Sequence, residues 1–217
     1  MSTLTLKGIS LQVAGKTLLG PVDAEILPGQ ILSIVGRSGT GKSSMLAFLC
    51  GVLPAAFSTS GRVLIDGEDL SALPPERRGF GILFQDDLLF PHLSVAGNVA
   101  FGLRRAGVPG AGRGPAIETA LASFGLAGFG PSDPATLSGG ERARVSLLRT
   151  LLSEPKALLL DEPFAHLDDE TRGSIRTLVF DEIRRRQLPT VLVTHDAEDV
   201  VAAQGQVIRL DGPGALP

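Results

Sequence analysis

"ILSIVGRSGTGKSSMLAFLCG", residues 31 to 51, runs from an apolar stretch through a glycine-rich turn into a helix-like stretch, and that order decides the fold. Residues 36 to 43 fit the pattern G-x-x-x-x-G-K-[ST], with Gly36, Gly41, Lys42 and Ser43 at its fixed places. Between a strand and a helix, such a turn is a phosphate cradle. Gly36, Arg37, Ser38, Gly39, Thr40 and Gly41 can aim successive backbone N–H groups at a phosphate chain. The N-terminus of the helix beginning near Lys42, Ser43 and Ser44 adds partial positive charge. Lys42 can reach the terminal phosphates, and Ser43 offers a hydroxyl to Mg2+.

The rest of the chain supports a strand-helix alternation. "ILSIV" (31 to 35), "GILF" (81 to 84), "ALLL" (157 to 160), "VLVT" (191 to 194) and "QVIRL" (206 to 210) are short apolar runs, the mark of parallel strands covered on both faces. "LTLKGISLQV" and "GRVLIDG" alternate instead and predict an antiparallel patch near the N-terminus. Between Gln85 and Leu160, "VAGNVAFGLRRAG" and "AIETALASFGLAG" read as helices separated by the loop-like "VPGAGRGP". A third helix is expected from Gly140 to about Ser153, with Val145, Leu148 and Leu152 on its apolar stripe. A fourth, from Asp168 to about Gln187, carries Ile175, Leu178, Val179 and Ile183. The fold class is therefore α/β: a mixed, mostly parallel sheet core with an antiparallel β subdomain and a helical insertion over about 88–153, within one domain spanning 1–217.

Bulk properties set bounds on function. The chain has 217 residues, 43% hydrophobic and 20% charged, enough for a sizeable core. A net charge of −3 gives no electrostatic footprint for nucleic acid, so no nucleic-acid partner is expected. Arg184, Arg185 and Arg186 close a helical pattern and read as a solvated last turn facing the helix dipole. Cys50 is the single cysteine, which excludes an intrachain disulfide. No apolar run reaches the roughly 18 residues of a membrane span, and the first residues lack the pattern of a secretory signal. A cytoplasmic protein is expected, reaching a membrane only through a partner.

Other residues gather at the expected carboxyl ends of the strands, where ligands bind in open α/β sheets. "ALLL" delivers Asp161, able to hold a hydrated Mg2+, and then Glu162, able to take a proton from attacking water. "VLVT" delivers His195, placed to sense a terminal phosphate, and "GILF" leads to Gln85, able to reach Mg2+ or water. A second glycine-rich turn, "LSGGERARV" (137 to 145), opens the third helix. Taken alone, Ser138 there reads as a helix N-cap.

The ordered series of phosphate loop, Gln85, "LSGGE", "LLLDEP", "LD" at 167 to 168 and "TH" at 194 to 195 resembles the ATP-binding-cassette (ABC) ATPases over nearly the whole chain. The resemblance implies an ATPase that uses ATP with Mg2+ and works as a head-to-tail homodimer or paired cassette. In that arrangement Ser138, Gly139 and Gly140 of one subunit contact the nucleotide held by the other, and Asp168 lies at the dimer seam. "FGILFQDDLLF" and "PATLSGGERARVSLLRTLLSEPKALLLDEPF" are similar, more narrowly, to the YnjD-like importer ATPases, related to the thiamine, iron and polyamine types. That implies transmembrane permease subunits, an extracytoplasmic binding protein, and a peripheral place on the inner face of the membrane. Because the chain stops soon after "QVIRL", no C-terminal regulatory domain is expected.

Three departures stand out. Glu141 replaces the usual glutamine after "LSGG". His166 stands before "LD", with chemistry and seam packing both open as its role. The aromatic on which the family often stacks adenine falls near Val13, and the chain has no Trp or Tyr. Alternative readings are a lipoprotein-release or division-type cassette, a soluble cassette ATPase and a small-molecule kinase. The long heptads of repair-type cassettes are absent.

Overall fold

The computed structural model describes residues 1–210, leaving aside the side chains at positions 105, 111 and 112. The tail 211–217, which bears on the expected absence of a further domain, lies outside the described residues. The chain divides into two compact units. The first holds residues 1–80, 156–162 and the chain from Phe180 onward; the second holds 81–155 and 163–179.

In the first unit, strands β1 (Leu4–Val13) and β2 (Lys16–Ile26) form a hairpin. They are followed by β3 (Ile31–Gly36) and helix α1 (Lys42–Cys50). After α1 come β4 (Phe57–Ile65), β5 (Glu68–Asp69) and the single turn α2 (Pro75–Arg78). The antiparallel sheet has the order β2-β1-β4-β5. Leu4, Leu6, Ile9 and Leu11 of β1 are all buried, so the alternation slips by one residue between Leu6 and Ile9. The register shifts there in both β1 pairings, a bulge that keeps the apolar side chains on the core face. The expected antiparallel patch is present and larger than the sequence reading. The strand β2 was not foreseen, because Gly20 and Pro21 interrupt its alternation.

The second half of the first unit supplies β7 (Ala157–Asp161), β8 (Thr190–Val193), α7 (Ala197–Ala203) and β9 (Gln206–Leu210). Strands β7, β8, β3 and β9 lie side by side in that order, each pair parallel. Ile31 to Ile34, Ala157 to Leu160 and Thr190 to Val193 are buried without a break, as strands covered on both faces require.

Helix α1 buries Met45, Leu46, Phe48 and Leu49, and no basic residue of its own lies in its last turn. Arg78, 5% exposed, supplies that charge from α2. Its Nη1 donates to the carbonyls of Phe48 and Leu49, both at 2.7 Å, its Nη2 to Ser71 O at 2.7 Å, and its Nε to Leu73 O at 2.9 Å. One planar guanidinium thus satisfies two of the orphan carbonyls at the C-terminus of the phosphate-loop helix and faces the negative end of its dipole. Gly51, the C-cap at φ 80°, has no room for a side chain, because a Cβ there would lie 2.7 Å from Arg78 Nε.

In the second unit, β6 (Phe80–Leu83) leads to α3 (Val95–Arg105), α4 (Gly110–Ser123) and α5 (Gly139–Leu151), and α6 (Asp169–Arg186) begins here. The region expected as a helical insertion falls within this unit. One reading fails locally. "VPGAGRGP" was expected to be a loop, yet α4 starts at Gly110 and carries Pro115 inside it. Tertiary packing of Ile117 and Leu121 overrides weak local propensity, and Arg113 Nε secures the helix start by donating to Val108 O at 2.8 Å. On α5, Val145 and Leu148 are buried as expected, whereas Leu152 is the C-cap and only half buried.

Replacing Arg78 with alanine leaves buried carbonyls without donors. Urea unfolding is expected to show a loss of about 3 kcal/mol. Arg78→Lys should recover less than half of it, since an ammonium cannot span the same fork of carbonyls.

Candidate functional site

Parallel register builds the first half of the site. Ile34 of β3 lies opposite Val193 of β8, and Val193 lies opposite Asp161 of β7. The phosphate loop, Asp161 and the residues after Val193 therefore leave the sheet at one edge. In the loop, Gly41 precedes α1 at φ 92°, a conformation that an L side chain adopts only with strain. Arg37, Ser38 and Gly39 are exposed, Thr40 is buried and Ser44 half-buried. Thr40 Oγ1 donates to Arg37 O at 2.9 Å, closing the turn. Lys42, 7% exposed, donates from Nζ to Gly36 O at 2.8 Å and Arg37 O at 3.0 Å. An ammonium held on carbonyls of its own loop is poised for stronger acceptors, such as phosphate oxygens.

Ser43 Oγ donates to Asp161 Oδ1 at 3.2 Å. Burial raises the Asp161 carboxyl above the ordinary carboxylate range, and the neighbouring Glu162 pushes the same way, while Ser43 and Lys42 pull it down. A hydroxyl and a carboxylate facing each other beside a phosphate cradle are hard oxygen donors of the kind Mg2+ takes when it also binds phosphate oxygens. These residues fit that ion.

Glu162 adopts φ 46°, outside the regions favoured by residues other than glycine, and its N–H donates to Val193 O at 2.9 Å. The left-handed backbone costs of order 1 kcal/mol. Glu162 Oε2 meets His195 Nδ1 at 3.1 Å, so these two expected catalytic groups are in contact. Sequence reasoning missed what holds the histidine loop. Thr194 Oγ1 donates to Asp199 Oδ2 at 2.8 Å in a buried pair and accepts from Asp196 N at 3.0 Å. Asp196 caps α7 by accepting from Glu198 N at 2.8 Å. The signal was present as "THDAED", a run of Asx-type capping residues after a strand.

The second unit holds the other expected residues. Gln85 is exposed, and its Nε2 lies 2.9 Å from His166 Nε2. His166 Nδ1 lies 3.2 Å from Asp86 Oδ1. The loop after Gln85 is tied to α5: Ser146 Oγ donates to Asp87 O at 3.0 Å, and Arg149 donates to Leu88 O at 2.9 Å and Asp87 O at 3.2 Å. Arg142 Nε pairs with Asp87 Oδ2 at 3.4 Å. Burial raises the Asp87 carboxyl, and Arg142 offsets part of that.

At the start of α5, Ser138 Oγ accepts from Glu141 N at 3.3 Å, and Glu141 Oε2 accepts from Ser138 N at 2.7 Å, a complete capping box. That explains the unusual Glu141, whose own carboxyl is held below its ordinary range by the Ser138 N–H. Gly140 is buried where a Cβ would meet Thr171 Cγ2 at 2.6 Å, whereas Gly139 has ordinary clearance. Asp168 Oδ1 accepts from Thr171 N at 2.9 Å, which lowers its pKa.

The family model described as "ABC transporter" matches residues 19–165, a span that includes the phosphate loop, the "LSGG" turn and the Asp161–Glu162 pair. The chain belongs to the ABC transporter family. Its activity is the family's ATP hydrolysis, and its fold is the family's phosphate-loop α/β domain. Among similar proteins, the "Uncharacterized ABC transporter ATP-binding protein YnjD" of Escherichia coli strain K12 is 45% identical over 92% of this chain and 91% of its own length. The taurine import ATP-binding protein TauB of Pseudomonas putida is 39% identical over 100% of this chain and 81% of its own. The "Fe(3+) ions import ATP-binding protein FbpC 1" of Rhizobium meliloti strain 1021 is 36% identical over 95% of this chain, which spans only 58% of that relative. Among the described residues, no helix is long and apolar enough to cross a membrane.

The raised Asp161 carboxyl carries a stability consequence. Its folded pKa lies above the unfolded one, so the cost is absent below the ordinary carboxylate value and grows as pH rises through the folded value. Asp161→Asn is therefore expected to raise the urea midpoint of the nucleotide-free protein at neutral pH. The gap to wild type should close on acidification, as equilibrium unfolding across pH will check.

Proposed function

We propose that this ABC ATPase is the motor subunit of an importer, binding Mg2+ and ATP at a composite site shared between two copies and driving membrane permease subunits. The observation that carries the reading is the sheet-edge pairing of Ser43 with Asp161 beside Glu162 with His195. The import direction draws on the taurine and iron relatives, whose names say import. An extracytoplasmic binding protein and a peripheral position on the inner membrane face belong to the same reading.

Each residue then has a task. Backbone N–H groups of 36 to 44 cradle the phosphates, and Lys42 exchanges its loop carbonyls for phosphate oxygens. Ser43, Asp161 and Gln85 would hold Mg2+, which would supply neutralisation of phosphate charge. Glu162 accepts the proton of the attacking water through its carboxylate. His195 keeps that carboxylate oriented in the free chain and contacts the terminal phosphate when nucleotide is bound. Ser138, Gly139 and Gly140 complete the pocket of the partner copy, with Asp168 at the seam between copies. ATP favours the closed pair and ADP the open one, and the difference in affinity is what drives the permease. Base recognition near Val13 rests on aliphatic contact, so ATP and GTP should bind with similar affinity.

Two measurements test this. Glu162→Gln should bind ATP and lose at least about 100-fold in turnover; near-normal hydrolysis removes Glu162 from the base role. Mixing Lys42→Ala chains with Ser138→Ala chains should restore hydrolysis in mixed pairs, since one of the two shared pockets is then intact. The capping box adds a control, because Ser138→Ala also costs about 1 kcal/mol of helix stability, to be followed by unfolding. Paired chains with no recovered hydrolysis overturn the shared site.

A further inference from the structure

His195 stands in the middle of a turn that closes on itself. The Thr194 hydroxyl oxygen accepts from Asp196 N at 3.0 Å, so the residues on either side of His195 are joined by one bond from side chain to backbone. Thr194 N donates to Ile34 O at 3.3 Å, which ties the entry of the turn to β3. A hydroxyl bond of this kind is weak by itself. The group carries one proton and two lone pairs on a rotating bond, and nothing local decides which of them meets the peptide N–H.

Asp199 decides it. Its Oδ2 accepts the Thr194 hydroxyl proton at 2.8 Å, and both side chains are shut away from water, Asp199 at 3% exposure and Thr194 at 2%. With its proton committed to the carboxylate, the hydroxyl meets Asp196 N through a lone pair, as the turn requires. Asp199 is the third residue of α7, counted from the cap Asp196, and an acid at that place ordinarily reaches back to the cap residue's own N–H. Here the Thr194 hydroxyl is interposed, which extends the cap of α7 across His195 to the strand side. The helix is fastened at its far end as well, where Arg184 donates to Ala202 O at 2.9 Å and to Ala203 O at 3.3 Å. Asp199 is thus an acceptor held by the fold rather than by the loop it serves. The His195 side chain, 66% exposed, meets Glu162 Oε2 at 3.1 Å. A ring so exposed has little packing to hold it, and its place against Glu162 is set by its backbone.

We propose that Asp199 is a positioning residue for ATP hydrolysis: by holding the Thr194 hydroxyl, it locks the turn that keeps His195 against Glu162. This deepens the roles proposed for His195 and Glu162 and rests on them. A misplacement of about 1 Å at a reacting group costs up to about 100-fold in rate, so an anchor remote from the reacting atoms is visible in turnover.

The test is a set of kinetic cycles. Thr194→Val keeps the shape of the side chain and removes the hydroxyl; it should lower kcat about 10- to 100-fold and change KM for ATP by less than about twofold. Asp199→Leu should do the same, and in chains already carrying Thr194→Val it should lower kcat no further. Thr194→Ser and Asp199→Asn, which keep a hydroxyl and an acceptor oxygen, should retain most of the turnover. The deciding background is His195→Ala. There Thr194→Val should have no further effect, whereas damage to the fold alone would lower kcat by the same factor as before. Urea unfolding establishes that each variant is folded, and if Asp199→Leu is not, the shape-preserving Thr194→Val decides alone. Undiminished turnover in Thr194→Val, or an equal loss with and without His195, overturns the positioning role. Normal turnover in His195→Ala alone overturns the reading of His195 itself, and the proposal with it.

Discussion

The contact between Ser43 and a part-desolvated Asp161 is the constraint around which the catalytic unit is arranged. It exists because β3, β8 and β7 run parallel in a register that ends all three at one level. Shift β7 by one residue against β8, and Asp161 and Glu162 exchange faces, since the side-chain period of a strand is two. The near-continuous apolar composition of these strands removes the alternation that could specify register by itself. Register must then come from what the strand ends do. Glu162 N–H bonded to Val193 O, and Thr194 N–H to Ile34 O, are the last rungs that set it.

Helix α1 transmits the same constraint to its far end. In the proposed reading its N-terminus receives phosphate, which accords with the lack of a side-chain cap there. Stability forgone at that end is offset at the other. Arg78, buried and bonded to carbonyls of α1, Ser71 and Leu73, fastens the helix to the stretch that follows the antiparallel sheet. The raised pKa of Asp161 follows the same logic under the proposed function, a group kept in an unfavourable setting for its proposed part in nucleotide binding.

What was legible in the sequence divides along physical lines. The phosphate loop, the Asp161–Glu162 pair and the strand ahead of His195 were legible because each is a local pattern with a local cause. Strand β2 was hidden by Gly20 and Pro21, and the start of α4 by glycines and a proline whose unfavourable propensity is overcome by packing from elsewhere. The roles of Arg78, Asp199 and Asp86 were not legible, since each depends on a partner that only the folded chain selects. Glu141 lay between: Ser138 and Glu141 have the [ST]-x-x-E spacing of a capping box, while the family resemblance gives glutamine at that place. Both side chains can reach back to the Ser138 N–H, so the change preserves the cap.

The second unit shows how a binding turn and a sensing loop can be made one body. Helix α5 begins at the "LSGG" turn, and along its length Arg142, Ser146 and Arg149 reach the loop that follows Gln85, two of them through its carbonyls. Arg149 also stacks over the Phe90 ring at 5.1 Å and shares Asn98 with the loop backbone, where Asn98 bonds both the N–H and the carbonyl of Phe90. These bonds are directional, so a displacement of the Ser138 turn along the α5 axis is resisted by the tethers between the helix and the loop. The Ser138 turn at one end of α5 and the loop that follows Gln85 are thereby joined by bonds within one unit.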